Sequence, residues 1–361
     1  MVTIGKIYDF IDRFAPFDTQ MDFDNAGLLI GGREEGVERV LVALDVTGEV
    51  AEEARERGCG LIVSHHPVIF TPLRSIKPGD VVYRLISNKT AVIAVHTNYD
   101  VAADGVNYAL ASALGLEKIQ TMKRYLTRCG YKIAVFVPRD SAGAVAEAMA
   151  RAGAGALGNY TDCAFLTEGK GQFRPREGAR PAVGAIGALE RVDEVRAEMI
   201  CGEANLSAVV KAMKEAHPYE EPAYDVFENR GIEKNYPESL FGELPEALSP
   251  QELAERVKKA LGCTHVKLHA GEKEIRTVGL CGGAGSKMLF EAIGKTDAYL
   301  TSEVKHHEWL AAREAGFTLI DAGHFPTEDI AVEPLRRRLS EAFPEIEFVK
   351  SAVHTDPVSF V

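Results

Sequence analysis

The chain has few cysteines and no C-x-x-C pair. Its six cysteines are scattered along the sequence. They are Cys59, Cys129, Cys163, Cys201, Cys263 and Cys281. This spacing argues against a thiolate zinc cage and favours a reducing compartment. We therefore expect the cysteines to be small buried hydrophobic residues.

Long apolar runs and an excess of basic residues are also absent. No uncharged run reaches the ~18 residues that a membrane-spanning helix needs. The N-terminal stretch MVTIGKIYDFIDRF has no signal-type apolar core. Lysine and arginine total 41 against 53 for aspartate and glutamate, and the formal net charge of −12 repels phosphate backbones and anionic lipids. We therefore expect a cytoplasmic protein whose partners include neither membranes nor nucleic acid.

The first and last thirds of the chain alternate strands and helices, and 361 residues are enough for two or more units. In the first third, strands are predicted at 39–46, 60–65 and 91–98, with helices at 49–57 and 81–88. In the last third, strands are predicted at 277–283, 298–304, 317–324 and 346–353, with helices near 287–293, 306–315 and 329–342. This alternation is typical of parallel β-α-β units, whose ligands collect at the carboxyl ends of the strands.

The middle of the chain has a different pattern. From about Tyr131 it reads as a strand, an Ala-rich helix, a Gly-rich stretch with charged turns, a second strand, a second helix and a final strand. Two β-α-β halves in about a hundred residues indicate a ferredoxin-like sandwich. We therefore predict the α/β class, with a discontinuous two-part α/β core domain at 1–127 and 233–361. The segment 128–232 is predicted to be an inserted ferredoxin-like α+β sandwich.

A histidine doublet stands where one predicted strand ends. In GLIVSHHPVIF, His65 and His66 follow an apolar run and precede Pro67. Burying two imidazoles at the mouth of a strand costs free energy unless something binds them, and neutral imidazole is the commonest metal ligand in proteins. The doublet therefore predicts a metal site.

Three further ligand candidates follow other predicted strands. Asp100 comes shortly after the strand that ends near His96. His324 and Glu328 follow the strand FTLID, and Pro326 between them suits the first turn of a helix. Taken singly, such an aspartate is usually a turn former, and a His and a Glu four residues apart are usually a solvated pair. Together with the doublet they supply the nitrogen and oxygen ligands of a two-metal site, in which carboxylates bridge.

Short motifs spread over the whole length carry a resemblance to a known family. They are DNAGLLIG (24–31), ALDVT (43–47), SHHP (64–67), HTNYD (96–100), HPYEEPAYD (217–225), TSE (301–303) and AGH (322–324) with Glu328. Together they resemble the GTP cyclohydrolase I type 2 homologue family of Nif3-like dinuclear-metal proteins, in the version with an inserted domain. One departure is Ser302, where the family pattern has glycine.

The resemblance implies that His65, His66, Asp100, His324 and Glu328 bind two divalent metal ions per chain, with Asp100 and Glu328 as the bridging groups. Zinc or iron is expected first, and manganese, nickel and cobalt stay open because nitrogen and oxygen ligands do not rank these ions. The resemblance also implies a toroidal homohexamer with the sites facing its inner cavity. The insert is similar to the PII and copper-tolerance (CutA) sandwiches, which implies trimeric caps over the openings of the ring.

Two more residues are candidates for supporting the ligands. Ligating groups are normally held by outer hydrogen bonds, so His96 is expected to orient Asp100, and Glu303 to orient His324. Two alternatives stay open: His96 is a satisfied core histidine, or Glu303 is a helix-capping acid.

Four other motifs leave alternatives open. Of His306 and His307, on a predicted helix, one is expected to face the cavity and the other to be solvated. The loop CGGAGS (281–286) lacks a Walker lysine pattern and G-x-G-x-x-G, so a tight packing turn is favoured over a phosphate site. DNAG (24–27) is either a turn or part of the rim of the site. HPYEEPAYDV (217–226) reads as a prolyl entry into an edge strand, with a ligand role as the alternative.

The expected function is a metal-dependent hydrolase that acts on a nucleotide or related small molecule, which the family's label would make GTP. The substrate itself does not follow from the sequence. The alternative is a non-catalytic metal-binding scaffold or metal chaperone, in which the insert gates access or senses a small ligand. A ring that threads DNA is disfavoured by the net charge of −12.

Overall fold

The computed structural model describes residues 1–128, 130–202, 205–229, 233–353 and 356–359. The chain divides into two compact units. The discontinuous unit comprises Met1–Tyr125 and Asn235–Val361, and the middle unit comprises Leu126–Lys234. The predicted boundaries, after residues 127 and 232, fall close to these limits. Cys129 and the boundary residue Ile232 lie outside the described residues.

The bounds of the elements are as follows. The strands are β1 (Val2–Thr3), β2 (Gly27–Ile30), β3 (Gly36–Val37), β4 (Arg39–Ala43), β5 (Leu61–Ser64), β6 (Ala91–Ala94), β7 (Glu117–Arg128), β8 (Gly130–Pro138), β9 (Ala164–Phe173), β10 (Glu190–Gly202), β11 (Tyr224–Glu228), β12 (Glu233–Leu248), β13 (Lys267–His269), β14 (Ile275–Leu280), β15 (Ala298–Thr301), β16 (Thr318–Asp321) and β17 (Glu347–Lys350). The α-helices are α1 (Ile4–Phe14), α2 (Gly48–Glu56), α3 (Val81–Ser87), α4 (Thr97–Asp100), α5 (Val106–Ala113), α6 (Ala142–Arg151), α7 (Leu206–Ala216), α8 (Pro250–Leu261), α9 (Leu289–Ile293), α10 (His306–Glu314), α11 (His324–Asp329) and α12 (Val332–Ala342).

The first sheet of the discontinuous unit has the strand order β17-β4-β5-β6-β2. Its four strands from β17 to β6 are parallel, and β2 is antiparallel to β6. Helices α1 and α12 cover one face and α2 and α3 the other, which explains why β4, β5 and β6 are near-continuous apolar runs.

The predicted strand at 91–98 is too long, because β6 ends at Ala94 and residues 97–100 form the helical turn α4. The carboxylate of Asp24 accepts a hydrogen bond from the backbone N–H of Thr97 at 3.0 Å. A distant side chain therefore supplies the acceptor that the first turn of α4 needs. The sequence pattern AVIAVHTN carries no sign of this long-range contact.

The second sheet of the discontinuous unit has the order β13-β16-β15-β14-β12-β7. Strands β14, β15 and β16 are parallel, whereas β12 and β13 run antiparallel to their neighbours. The strand predicted at 346–353 is β17, which joins the first sheet beside β4. The predicted helix at 329–342 is α12, and the separate helix α11 precedes it and already begins at His324.

The middle unit is a four-stranded antiparallel sheet with the order β11-β8-β10-β9. Helices α6 and α7 pack against the sheet through one apolar cluster, which includes Val145, Met149, Val209 and Met213. As predicted, the prolyl stretch at 217–226 leads into an edge strand, β11. His217 uses both ring nitrogens within the fold: Nε2 bonds the carbonyl of Phe136 at 3.0 Å, and Nδ1 accepts from the backbone N–H of Tyr219 at 3.0 Å.

Two general expectations are tested by burial and helix length. Cys59, Cys201 and Cys281 are buried, as predicted, whereas Cys163 and Cys263 are only partly buried. No helix among the described residues is both long enough and apolar enough to cross a membrane.

Candidate metal centre

The candidate site lies where strands of both sheets of the discontinuous unit end. Because β5 and β6 are parallel neighbours, the residues that follow them emerge at the same edge of the first sheet. His65 and His66 follow β5, and Asp100 ends α4 after β6. Strand β16 of the second sheet leads into α11, which presents His324 and Glu328 about one helical turn apart.

Glu328 stands at the centre of the five predicted ligands. Its Oε2 lies 2.9 Å from Nε2 of His66, 2.9 Å from Nε2 of His324 and 3.8 Å from Nε2 of His65. Nε2 of His65 in turn lies 3.5 Å from Oδ1 of Asp100. The structure therefore brings all five residues together in one site.

The ligand atoms form three overlapping groups, within each of which all donor atoms lie within 4.8 Å of one another. The groups are His65 with Asp100 and Glu328, His66 with His324 and Glu328, and His65 with His66 and His96. Glu328 belongs to two groups, and a carboxylate with two oxygens is the kind of ligand that bridges two ions. Imidazole and carboxylate donors without sulfur suit zinc and other first-row ions.

Three buried atoms in these groups have no hydrogen-bond partner among the described residues. They are Nε2 of His65, Oδ1 of Asp100 and Oε2 of Glu328. Two imidazole nitrogens lie 2.9 Å from the Glu328 oxygen, as ion-pair partners when their rings are protonated, but no hydrogen bond joins them to it. Because burying an unpaired polar atom costs roughly 1–3 kcal/mol, three at one point indicate a missing positive partner. The donor set therefore fits a metal centre.

Each imidazole of the site is held through its other ring nitrogen. The Nδ1 atoms bond the carbonyl of Val95 (His65, 2.8 Å), Asp45 Oδ1 (His66, 2.7 Å), Asp24 Oδ1 (His96, 2.7 Å) and Glu303 Oε1 (His324, 2.7 Å). Carbonyl and carboxylate oxygens only accept, so each Nδ1 donates and each neutral ring presents a lone pair on Nε2. Such outer hydrogen bonds fix the tautomer and orientation of metal ligands.

The two supporting residues predicted from sequence differ in outcome. Glu303 bonds His324, as the prediction requires. The prediction that His96 orients Asp100 does not describe the geometry, because Nδ1 of His96 bonds Asp24 instead. A ring nitrogen of His96 joins the ligand atoms of His65 and His66.

Sequence reasoning missed one supporting residue and left another undecided. Asp45 follows β4, the neighbour of the strand before His66, and this position at the strand ends is the signal that could have found it. Asp24 is both a turn residue and part of the site: its carboxylate accepts from the backbone N–H of Asn25 at 2.7 Å and also holds His96.

The glycine loop at 281–286 packs against α11. Gly283 has a φ of +59°, and a Cβ there would lie 2.0 Å from Oε1 of Glu328 and 3.4 Å from Nε2 of His324. Glycine is thus required by the close approach of the backbone to two ligands. The Ser302 hydroxyl donates to the carbonyl of Gly283 at 2.5 Å, so the serine that departs from the family pattern fastens this loop.

The expectation that His306 or His307 faces the cavity is wrong. Both side chains are exposed at the start of α10. Neither belongs to a potential ligand group within the part of the chain that the structure describes.

Charges in the metal-free site shift several pKa values. Burial lowers the pKa of His66, but Asp45 and Glu328 outweigh it and raise this pKa to about 10. Burial also lowers the pKa of His324, but Glu328 and Glu303 outweigh this effect and raise the pKa to about 9. Burial raises the pKa of Asp100 despite the opposing charge of His65. Protons therefore compete with metal ions for these imidazoles.

Comparisons with known proteins identify the family of the chain. The family model of Duf34/NIF3 (NGG1p interacting factor 3) matches residues 2–357. A protein of Halalkalibacterium halodurans named GTP cyclohydrolase 1 type 2 homolog is 38% identical over 365 residues, which cover 98% of each chain. A Staphylococcus aureus protein of the same name is 34% identical over 368 residues, covering 99% of this chain and 100% of the relative.

A solved structure gives the same result. The crystal structure of a Bacillus cereus protein related to NIF3 is 36% identical, covers 99% of both chains and superposes with a TM-score of 0.68. With a family match over nearly the whole length and relatives above 30% identity, the chain belongs to the Duf34/NIF3 (NGG1p interacting factor 3) family.

Proposed function

We propose that the chain binds two divalent metal ions, zinc or iron in the first place, and uses them to hydrolyse a nucleotide or related small molecule. His65 and Asp100 would hold one ion, and His66 and His324 the other. Glu328 would bridge them because it belongs to both ligand groups. Asp100 is the second bridging candidate from the family resemblance.

The observation that carries this proposal is the set of three buried atoms without a hydrogen-bond partner, on His65, Asp100 and Glu328, which converge within ligand distance of one another. Buried polar atoms in native proteins normally have hydrogen-bond partners, so three such atoms at one point support a bound cation. The name GTP cyclohydrolase 1 type 2 homolog, carried by relatives at 38% and 34% identity, supports a nucleotide as substrate.

The chemistry divides between the ions and the chain. A bound metal pair supplies a water of lowered pKa and stabilises negative charge that develops in the transition state. Asp45, Asp24 and Glu303 keep the imidazoles of His66, His96 and His324 in the tautomer that presents Nε2. A cavity of ≈ 480 Å³, lined by His66, Asp100, His324 and Glu328 among others, gives a small molecule access to them.

Metal analysis of protein purified without added metal tests the binding. We expect two equivalents of zinc or iron per chain in the wild type and the loss of at least one in Asp100→Asn. Asp104→Asn is the matched control, because its side chain is 82% exposed and lies outside the ligand groups. A wild-type chain that retains no ion after reconstitution contradicts the proposal.

Turnover tests the reaction. The metal-loaded protein is assayed against nucleotides including GTP, phosphoesters and cyclic amides, and we expect hydrolysis that Asp100→Asn abolishes and Asp104→Asn retains. A loaded protein that turns over none of these substrates contradicts hydrolysis while leaving metal binding intact.

A second candidate is a non-catalytic metal scaffold or metal chaperone. The observation that favours it is the 36% exposure of the His324 side chain, which opens one ligand group to solvent. Rapid transfer of metal to a chelator, together with no turnover, supports delivery. Slow exchange with an open coordination position supports catalysis.

We also propose a toroidal cytoplasmic homohexamer with no membrane or nucleic-acid partner, in which the middle unit is a ferredoxin-like, PII/CutA-like insert that gates access or senses a ligand. The β-α-β-β-α-β order of the middle unit and its strand order β11-β8-β10-β9 support this fold. Light scattering tests the assembly, and a mass other than that of six chains contradicts it.

A further inference from the structure

The cavity that opens onto the candidate ligands has an apolar wall that metal binding does not explain. Met21, Phe23, Phe70 and Met288 line the same ≈ 480 Å³ space as the imidazoles and carboxylates. Phe23 is 61% exposed and Phe70 is 50% exposed. Large exposed aromatic side chains that converge at a cavity mark a surface that a ligand covers.

The two phenylalanines form one aromatic surface with a histidine of the site. Their ring centroids lie 6.3 Å apart at 49°, and the ring of Phe70 lies 6.2 Å from the ring of His96 at 77°. Aromatic rings at such distances attract a further planar ring through stacked or edge-to-face contacts. The aromatic surface therefore extends from the entrance of the cavity to the ligand cluster.

Hydrogen bonds within the chain hold this surface in place. The amide of Asn25 donates to the carbonyl of Ile69 at 2.6 Å and so joins the segments that carry the two phenylalanines. The neighbouring Asp24 holds His96, which ties the same segment to the candidate ligands. A wall arranged in advance binds its ligand at a lower entropic cost.

Charge defines the other end of the occupant. Two bound divalent ions would outweigh the carboxylates of Asp100 and Glu328, so the floor of the cavity would then attract an anionic head. Lys287 and Glu238 also line the cavity, and Lys287 Nζ lies 3.4 Å from Glu238 Oε1. The Lys287 side chain is 63% exposed, so it can reach a further acceptor. The lining thus combines a cationic floor, a basic side chain and an aromatic wall.

We infer that the substrate carries a planar aromatic ring and an anionic, metal-binding head, and that Phe23 and Phe70 select for the ring. This inference rests on the proposed metal centre. It assigns specificity to two residues outside the ligand groups.

Calorimetry with three phosphonates on the zinc-loaded full-length protein tests the inference. Methylphosphonate reports the head alone, phenylphosphonate adds a flat ring, and cyclohexylphosphonate adds a puckered ring of similar size. We expect phenylphosphonate to bind at least about tenfold more tightly than methylphosphonate, and about threefold to tenfold more tightly than cyclohexylphosphonate.

The double variant Phe23→Leu, Phe70→Leu should lose the preference for the flat ring and bind methylphosphonate as the wild type does. Phe290→Leu is the matched control, since Phe290 is 58% exposed and does not line the cavity. Zinc content measured in every variant shows whether the centre is intact.

Three results would overturn the inference. If the zinc-loaded protein binds phenylphosphonate and methylphosphonate equally, selection for the ring is contradicted, whereas the proposed metal centre is not. A preference for the flat ring that survives in the double variant shows that the phenylalanines do not select for the ring. If the assembly mass of that variant has also changed, the phenylalanines serve a subunit contact instead. Failure of all three phosphonates to bind the zinc-loaded protein removes the anionic, metal-binding head and leaves the metal centre intact. Failure of zinc to load is a separate outcome, which removes the proposed function as well.

Discussion

Two buried histidines, one in each unit, are used in opposite ways. His217 of the middle unit is 7% exposed, and His65 of the discontinuous unit is 3% exposed. Each bonds a backbone carbonyl through one ring nitrogen, at 3.0 Å from Phe136 and 2.8 Å from Val95. The second nitrogen of His217 accepts a backbone N–H, whereas that of His65 has no hydrogen-bond partner among the described residues and faces Asp100 and Glu328 at 3.5 and 3.8 Å.

The difference shows what distinguishes a structural histidine from a candidate ligand. Burial lowers the pKa of His217, which keeps its ring neutral inside the fold. Burial also opposes the charge of His65, but Asp100 and Glu328 outweigh it and raise its pKa. Burial alone therefore does not identify a metal site, and the unpaired nitrogen facing two carboxylates does.

The largest expected effect comes from the carboxylate shared by two ligand groups. Glu328→Gln removes the charge that both ligand groups share, so we expect metal affinity to fall by more than about 100-fold, beyond the loss typical when a hydrogen bond to a ligand is removed. Competition with a chromogenic chelator measures it. Glu333→Gln is the control, since Glu333 pairs with Arg336 on the neighbouring helix α12, and equal metal content in both variants would refute the central role of Glu328.

Two alanine variants test the contrast between His65 and His217. His65→Ala should lower metal content to one ion or fewer per chain. His217→Ala should leave metal content unchanged but lower the free energy of unfolding by about 1–3 kcal/mol, because it leaves the Phe136 carbonyl and the Tyr219 N–H unpaired. Metal analysis and urea denaturation check the pair, and a loss of metal in His217→Ala would count against the assignment.

A smaller effect is expected at the outer hydrogen bond of His324. Glu303→Gln keeps the size of the side chain but replaces the carboxylate that accepts from Nδ1. We expect metal affinity to fall about 10- to 100-fold, with the fold unchanged because Glu303 is exposed. Chelator competition and circular dichroism measure the two properties, and an unchanged affinity would contradict the role of Glu303 in positioning His324.

The smallest expected effect is on stability as a function of pH, which should have opposite signs for the site histidines and for His217. In the metal-free protein the pKa values of His66, about 10, and His324, about 9, lie above the unfolded value of 6.5. Their stabilisation is full below pH 6.5 and is lost as the pH rises through 9 to 10. His217 has a lowered pKa, so its stabilisation is present above pH 6.5 and is lost as the pH falls.

Thermal melts between pH 7 and pH 10 check this sign in the range of the site histidines. The Tm of the metal-free protein should fall as the pH rises. The increase in Tm that buffered zinc produces should become larger, because zinc then displaces fewer protons from the site histidines. A metal-free Tm that rises with pH over this range would contradict the assignment.

Much of the site could be predicted from the sequence because several of its candidate ligands come directly after apolar runs. His65 and His66 directly follow LIVS, and His324 follows TLID after two intervening residues. Parallel strands bring such ends together at one edge of a sheet. Asp45 was missed and Asp24 was left undecided because their bonds to His66 and His96 cross 21 and 72 residues of chain and depend on how elements pack. The same limit explains β17, a four-residue strand whose partner in the first sheet no local pattern reveals.

Anomalous diffraction from crystals of metal-loaded protein would locate the ions. We predict two peaks per chain, one about 2.0–2.3 Å from ligand atoms of His65 and Asp100, the other equally close to His66 and His324, with Glu328 reaching both. A single peak, or peaks away from Glu328, would contradict it.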